Sequence, residues 1–185
     1  MGRVKSNIAS GSFSRSDVFQ WVSPMVCASL LCCGSSFHRP HIGTYRDIST
    51  FDVRNVVDFG WMLYNTSFTG SLANWDMSMA NSTRLMFFQT NFNSDISGWN
   101  VSRLTETWSM FFGSSFNQDI SMWDVSNIEN MRSMFSESAF NQDISSWNIT
   151  GALDLNSMFK DARNFSQNLC PWGDDIGGGV DTFGM

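Results

Sequence analysis

The chain has 185 residues, of which 42% are hydrophobic and 15% are charged, so it is long enough to bury one sizeable core. Its formal net charge is −6, and because the acidic excess falls after Gly43, the folded part would repel a phosphate backbone, which excludes nucleic acid as a partner. No segment reaches the roughly 18 consecutive apolar residues that a transmembrane helix needs.

Residues 1–43 are predicted to form an N-terminal head without internal repeats. A weakly basic stretch there precedes the sequence WVSPMVCASLLCCGSS, in which Gly34 and Ser36 are small residues suited to signal-peptide cleavage. Pro24 interrupts the apolar run, however, and the polar segment before it is long. The head therefore fits a disordered tail or a mis-assigned start better than a working secretion signal.

The head also contains the candidate zinc ligands of the sequence, Cys32, Cys33, His38 and His41. Adjacent cysteines lack the two-residue spacer that lets both thiolates face one metal, so chance clustering is the better interpretation. Both histidines of the chain lie in this head, and no nucleophile, base and orienting group are brought together in the remainder. We expect no enzyme and no metal or cofactor site.

Residues 44–172 are predicted to be a stack of 24-residue repeats. The segments FNSDISGWNVS, FNQDISMWDVS and FNQDISSWNIT begin at Phe92, Phe116 and Phe140. The resulting apolar columns are Phe68, Phe92, Phe116 and Phe140; Ile48, Leu72, Ile96, Ile120 and Ile144; Trp75, Trp99, Trp123 and Trp147; and Met62, Met86, Met110, Met134 and Met158. A unit this short cannot bury its own apolar edge, so we expect neighbouring units to stack and share one core.

Each repeat combines two periodicities. Trp123 and Val125 alternate with Asp124, which predicts a short strand, whereas Ile128, Met131 and Met134 recur at helical spacing. The prediction is an α/β repeat solenoid of about five to six coils, with short parallel strands centred on residues 52, 76, 100, 124 and 148 and helical turns near Met86, Met110, Met134 and Met158.

The residues that alternate with the buried Trp and Val are expected to form an outward strip along the stack. Its central members are Asp52, Asp76, Asn100, Asp124 and Asn148. The strip is polar and poor in the aromatic and Arg anchors of tight interfaces, so a protein or glycan surface would bind it weakly or multivalently. The alternative is a sheet face that is merely solvated.

A second acidic column consists of Asp95, Asp119 and Asp143. Stacking at about 5 Å per coil would make it an acidic ladder for calcium. The better-supported alternative is that each Asp accepts backbone hydrogen bonds in a turn.

The C-terminal end, residues 173–185, is Gly-rich and is predicted to be truncated or frayed. Near it, Phe165, Leu169 and Trp172 continue the core columns at a step of 25 residues, which predicts a one-residue bulge in the preceding loop. Cys170 has no second cysteine in the repeats, so either its partner was lost with a missing C-terminal coil or the thiol is buried and inert.

The sequence WDVSNIENMRSMF followed by SAFNQDISSWN resembles the repeat of BspA-like leucine-rich-repeat surface proteins, over residues 44–172. The resemblance implies a right-handed leucine-rich-repeat-like solenoid, an extracellular or cell-surface location, a role in adhesion and no enzymatic activity. The Asn usual in that repeat class is not evident at the matching place. A truncated or decayed repeat protein without specific binding, and a calcium-dependent structural module, remain the alternatives, and the oligomeric state stays open.

Overall fold

The computed structural model of the chain describes residues 48–174. The predicted head and residues 175–185 lie outside the described residues. Within residues 48–174, the regular elements are a 3-10 helix over Cys170–Asp174 and four isolated parallel β-bridges. The bridges join residues 24 apart in an unbroken series: Asp58 with Ser82, Ser82 with Glu106, Glu106 with Asn130, and Asn130 with Asp154.

Backbone hydrogen bonds extend each bridge into a contact between whole coils. The N–H groups of Phe59, Trp61, Leu63 and Asn65 donate to the C=O groups of Ser82, Arg84, Met86 and Phe88, at 2.9, 3.0, 3.1 and 2.7 Å. The intervening amides close turns within their own coil, as Met62 does to Phe59 at 3.2 Å. The same pattern recurs in each following pair of coils, so alternate amides tie every repeat to the next.

The parallel pairing lies six residues further along each repeat than the strands predicted around residues 52, 76, 100, 124 and 148, which are not formed in the described part of the chain. The physical reason is visible after Trp75. The Ser78 amide donates to Asp76 Oδ1 at 3.0 Å, and the Ala80 amide to Met77 C=O at 2.9 Å. The alternation of Trp75, Asp76 and Met77 between buried and exposed positions is therefore produced by a turn, not by a strand. This turn occupies the Ser78 and Ala80 amides, which a strand would use for pairing.

The helical turns predicted near Met86, Met110, Met134 and Met158 are also interrupted. Two positions in each repeat have left-handed backbone, for example Leu85 with φ 56° and Gln89 with φ 51°. Such a conformation costs a residue other than glycine roughly 1–2 kcal/mol. Here it aims alternate amides at the next coil, where each finds a carbonyl, so hydrogen bonds between coils replace those of a helix.

The core consists of aromatic columns that run the length of the described stack. Phe87, Phe111 and Phe135 are fully buried, and their ring centroids are 5.5 and 5.7 Å apart with nearly parallel planes. Trp99 and Trp123 stack at 6.4 Å. Each indole also reaches the preceding coil, so that Trp123 Nε1 donates to Ile96 C=O at 3.2 Å. Burial of large rings and a satisfied indole N–H together bind successive coils.

The extra residue of the last coil is absorbed in the turn after Asp161. The Arg163 amide donates to Asp161 C=O at 2.9 Å, a tighter turn than the earlier coils have at this place. Phe165 still stacks on Phe140 at 6.3 Å, close to the 6.2 Å between Phe116 and Phe140. The bulge therefore leaves the core columns in register. Cys170, which lies beyond it, is exposed, so the expectation of a buried thiol is wrong.

Candidate interaction surfaces

The predicted polar strip consists of residues that cap their own turns. Exposed side-chain oxygens accept hydrogen bonds from the residue two positions later: Asp76 from the Ser78 amide at 3.0 Å, Asn100 from the Ser102 hydroxyl at 2.7 Å, Asp124 from the Ser126 hydroxyl at 2.6 Å and Asn148 from the Thr150 hydroxyl at 2.6 Å. The Ser hydroxyls, followed by the Ser amides, lower the pKa of Asp76 and Asp124. Each of these exposed residues uses Oδ1 for the turn.

Asp52, the first member of the strip, has a different partner. Its carboxylate forms a two-pronged pair with Arg54, with Oδ1 2.8 Å from Nε and Oδ2 2.7 Å from Nη2. The Arg54 side chain is 59% exposed, and exposed ion pairs of this kind contribute roughly 0–1 kcal/mol. The strip therefore begins with a neutralised carboxylate rather than a free one.

The second acidic column has the geometry of turn caps. Asp95, Asp119 and Asp143 accept the amides of Ser97, Ser121 and Ser145, each at 2.9 Å. These backbone hydrogen bonds are the main reason that the pKa of Asp95 and of Asp143 is lowered. Across residues 48–174 no group of three or more His, Cys, Asp or Glu side chains is placed to hold a metal ion. The calcium ladder finds no support here.

A strip of aromatic side chains, absent from the sequence-based predictions, lies on the surface of the first three coils. Tyr64 stacks on Phe88, and Phe88 on Phe112, with ring centroids 4.8 Å apart in both pairs. All three rings are half-buried, and Trp61, which is 46% exposed, lies 4.9 Å from Tyr64. The signal in the sequence is an aromatic residue directly after Leu63, Phe87 and Phe111. We call Trp61, Tyr64, Phe88 and Phe112 the aromatic strip.

An asparagine column also ties the coils together. The amides of Asn117 and Asn141 donate to Asn93 Oδ1 and Asn117 Oδ1, both at 2.8 Å, and the Ser166 amide donates to Asn141 Oδ1 at 2.9 Å. Side chains of Gln118, Gln142 and Gln167 donate to the same three oxygens at 3.0 Å. The sequence-based comparison with leucine-rich repeats found no matching Asn; in the described coils, the Asn that follows Phe92, Phe116 and Phe140 supplies this ladder.

Comparison with known families identifies the repeat. A family described as "Mycoplasma protein of unknown function, DUF285" matches residues 35–115 and 89–176, which together cover most of the chain. The chain belongs to this family. DUF285 carries no assigned activity, and its two overlapping matches agree with the repeats seen in the sequence. The match is consistent with a BspA-like repeat surface protein, but it does not identify that specific family.

Neither the curated proteins nor the solved structures include a match to this DUF285 chain. Among residues 48–174 no helix is long and apolar enough to cross a membrane.

Proposed function

We propose that this protein is a non-enzymatic interaction protein, secreted or displayed at the cell surface, with coils arranged as a right-handed leucine-rich-repeat-like solenoid of the BspA-like type. The proposal is supported by 24-residue coils that pair in parallel, by the repeat family and by side chains aligned in rows along the stack. A stack of this kind presents equivalent groups at regular intervals, which suits an extended protein or glycan surface.

The aromatic strip is the observation that carries the proposal. Half-exposed Tyr and Trp side chains are the residues most often found as anchors in binding sites, because they bury a large area and lose little conformational freedom. The equivalent positions of the last two coils are Ser136 and Lys160, so the stack itself does not require aromatic residues there. Rings placed on the surface of three consecutive coils are accordingly available to a partner.

The polar strip is the second candidate surface. It repeats a capped carboxylate or amide in every coil from Asp76 to Asn148, and lies about half a repeat away in sequence from the aromatic strip. Single contacts of this kind are weak, so it would act through several coils at once. The two strips make separable contributions.

A glycan array tests the proposal with labelled full-length chain. We expect wild type to bind a subset of immobilised oligosaccharides, and Trp61→Ser with Tyr64→Ser to lose that signal by about tenfold or more, as for an interface anchor. Leu153→Ser removes another exposed apolar side chain, 61% exposed and outside both strips, and serves as the matched control. Asp76→Arg with Asp124→Arg probes the polar strip on the same array.

The outcomes separate the candidates. Loss of binding only in the Asp76 and Asp124 variant assigns the site to the polar strip, and undiminished binding in both variants contradicts both sites. A wild-type chain that binds no glycan rules out the glycan form of the proposal, leaving a protein partner. Protease treatment of intact cells checks location, because a surface-displayed chain is cleaved while a control protein of the cell interior is not.

A further inference from the structure

An open groove crosses three consecutive coils in the second half of the described stack. It has a volume of about 650 Å³ and is lined by residues 113–115, 137–139, 161 and 163–164. Sites for small molecules commonly have volumes of roughly 300–1,000 Å³. The groove is therefore large enough for a ligand of the size of an amino acid or of the last residues of a peptide.

One wall of the groove is the bulge of the last coil. Phe165 stacks on Phe140 in one core column, so Arg163 and Asn164 together occupy the place that Ala139 has in the preceding coil. Both of these residues are exposed, and both line the groove. The extra residue thus brings a guanidinium and a carboxamide to a place where the preceding coil has only a methyl group.

The bulge also interrupts the backbone hydrogen bonds between coils. In the preceding pair of coils the Ala139 amide donates to Ser114 C=O at 3.0 Å. The Asn164 amide has the matching place in the last pair, yet it bonds no described residue, and Ser138 C=O receives no amide from residues 48–174. Because Ser138 and Asn164 line the groove, it contains one main-chain acceptor and one main-chain donor that the stack does not use.

Two carboxylates line the same groove. Glu137 and Asp161 occupy one position in successive coils, and the Glu137 amide donates to Lys160 C=O at 2.8 Å, so their backbones lie about 5 Å apart. The three earlier members of this column are uncharged: Asn65, Gln89 and Gly113. Negative charge in this column is thus confined to the two coils that border the bulge.

The charged side chains of the groove do not pair with one another. Among residues 48–174, neither Glu137 nor Asp161 forms an ion pair with Arg163, and no side-chain hydrogen bond of these three residues is formed. The carboxylates of Asp76 and Asp124, in contrast, accept hydrogen bonds within their own turns. The groove therefore offers two negative groups and one positive group to a ligand.

This pattern of charges favours an organic ligand over a metal ion. Across the described residues no three His, Cys, Asp or Glu side chains gather around one point, and a guanidinium in the same groove repels a metal cation. A ligand that has a carboxylate and one or two cationic nitrogens is complementary to all three charged groups. Basic amino acids have these groups on a single small molecule.

We propose that the groove binds a basic amino acid, either free or as the C-terminal residue of a peptide. Its cationic side chain lies between the carboxylates of Glu137 and Asp161. Its carboxylate pairs with the guanidinium of Arg163 and accepts the Asn164 amide, as carboxylates do in charge-assisted pairs. The nitrogen on its α-carbon donates to Ser138 C=O. The proposal is independent of the aromatic strip and of the polar strip.

Ligand-observed NMR titration of the full-length chain with L-arginine tests the proposal. We expect saturable binding that weakens as salt is added, because exposed charges are screened. L-Citrulline lacks the positive charge of the arginine side chain and agmatine lacks the carboxylate, so each should bind about threefold more weakly or worse. The peptide Gly-Gly-Arg and its C-terminal amide distinguish the two sources. Tighter binding of the free-acid peptide than of L-arginine assigns the site to a peptide end, and the reverse assigns it to the free amino acid.

Variants of the groove give the sharper result. Arg163→Gln should weaken binding of L-arginine by about three- to tenfold and should no longer distinguish it from agmatine. Glu137→Gln with Asp161→Asn should weaken L-arginine by a similar factor and should no longer distinguish it from L-citrulline. Arg132→Gln and Glu129→Gln remove the same kinds of charge at exposed residues outside the groove, and they should bind like wild type.

Three results would overturn the proposal. The first is a wild-type chain that shows no saturable binding of L-arginine or of Gly-Gly-Arg. The second is binding of L-citrulline and agmatine that equals that of L-arginine. The third is an equal loss in the groove variants and in the two control variants, which would mean that only the overall charge of the chain acts. Urea denaturation of every variant confirms that the fold is kept.

Discussion

Two aromatic columns run side by side through the stack, and they behave differently. One consists of Leu63, Phe87, Phe111, Phe135 and Phe159; the other, one residue later, consists of Tyr64, Phe88, Phe112, Ser136 and Lys160. The first column is apolar in every coil, and its members in the inner coils are fully buried. The second is half-exposed in the first three coils and then becomes polar. Burial therefore requires an apolar residue in the first column, whereas the second column accepts both aromatic and polar residues.

The difference distinguishes side chains that hold the coils together from side chains that lie on their surface. A ring at Phe111 contacts the rings of both neighbouring coils at 5.5 and 5.7 Å and has no exposed surface, so replacing it opens a cavity. Among the rings of residues 48–174, the ring of Phe112 stacks on Phe88 alone, because the next coil has Ser136 at this position. The half-exposed rings of the second column, Tyr64, Phe88 and Phe112, are therefore where side chains can contact a partner without weakening the core.

The largest expected effect comes from breaking a buried column. Trp123→Ala should lower the free energy of unfolding by about 3–5 kcal/mol, because it removes a buried ring stacked on Trp99 and the Nε1 bond to Ile96. Urea denaturation measures the change, and Met122→Ala, at an 86% exposed side chain, should stay within about 0.5 kcal/mol of wild type. Similar losses in both variants would show that the indole is not a core element.

The core columns were predictable because burial repeats one residue type every 24 positions. Ile96, Trp123 and Met134 were assigned to the core from spacing alone, and all are buried. The local backbone was not predictable in the same way. Helical spacing around Met131 and Met134 arises equally from turns with left-handed residues at Ser133 and Glu137, and only the hydrogen bonds to the next coil distinguish the two.

The surfaces were predictable only in part. Asp76 and Asp124 are exposed, as expected for residues that alternate with buried Trp and Val, yet nothing in the sequence shows that their oxygens cap the turns. The aromatic strip was missed because Phe88 and Phe112 follow Phe87 and Phe111 directly, and adjacent apolar residues do not reveal which ring is inside. Which of the two adjacent rings is buried depends on how neighbouring coils contact each other.

A smaller effect is expected from the polar ladder. Asn117→Ala removes the oxygen that accepts the Asn141 amide at 2.8 Å and the Gln142 side chain at 3.0 Å, and should cost about 1–3 kcal/mol in urea denaturation. Asn117→Asp keeps an acceptor at that place and should recover most of the loss. Asn74→Ala, at an exposed Asn outside the ladder, is the control and should be near neutral. A loss in Asn117→Asp equal to that in Asn117→Ala would argue against the ladder.

The smallest expected effect is a stabilisation, and it depends on pH. Glu106 lies in the series of parallel bridges, and its pKa is raised, mainly by burial and further by the charges of Glu129 and Asp154, against the opposing effect of Arg84. An acid whose pKa is higher in the folded state favours folding when protonated. This contribution is fully present below the ordinary Glu pKa of 4.5 and is lost as pH rises through the folded value.

Glu106→Gln should therefore melt at a higher temperature than wild type at neutral pH, because Gln keeps the shape of the side chain without the charge. The difference should shrink as the pH falls, since the wild-type carboxyl then becomes protonated in the folded chain. Glu137→Gln removes one negative charge from an exposed side chain and controls for net charge alone. Thermal denaturation of the three proteins at neutral pH and near pH 4 measures both the difference in melting temperature and its dependence on pH. A melting difference between Glu106→Gln and Glu137→Gln that is the same at both pH values would mean that the charge of Glu106 does not oppose folding.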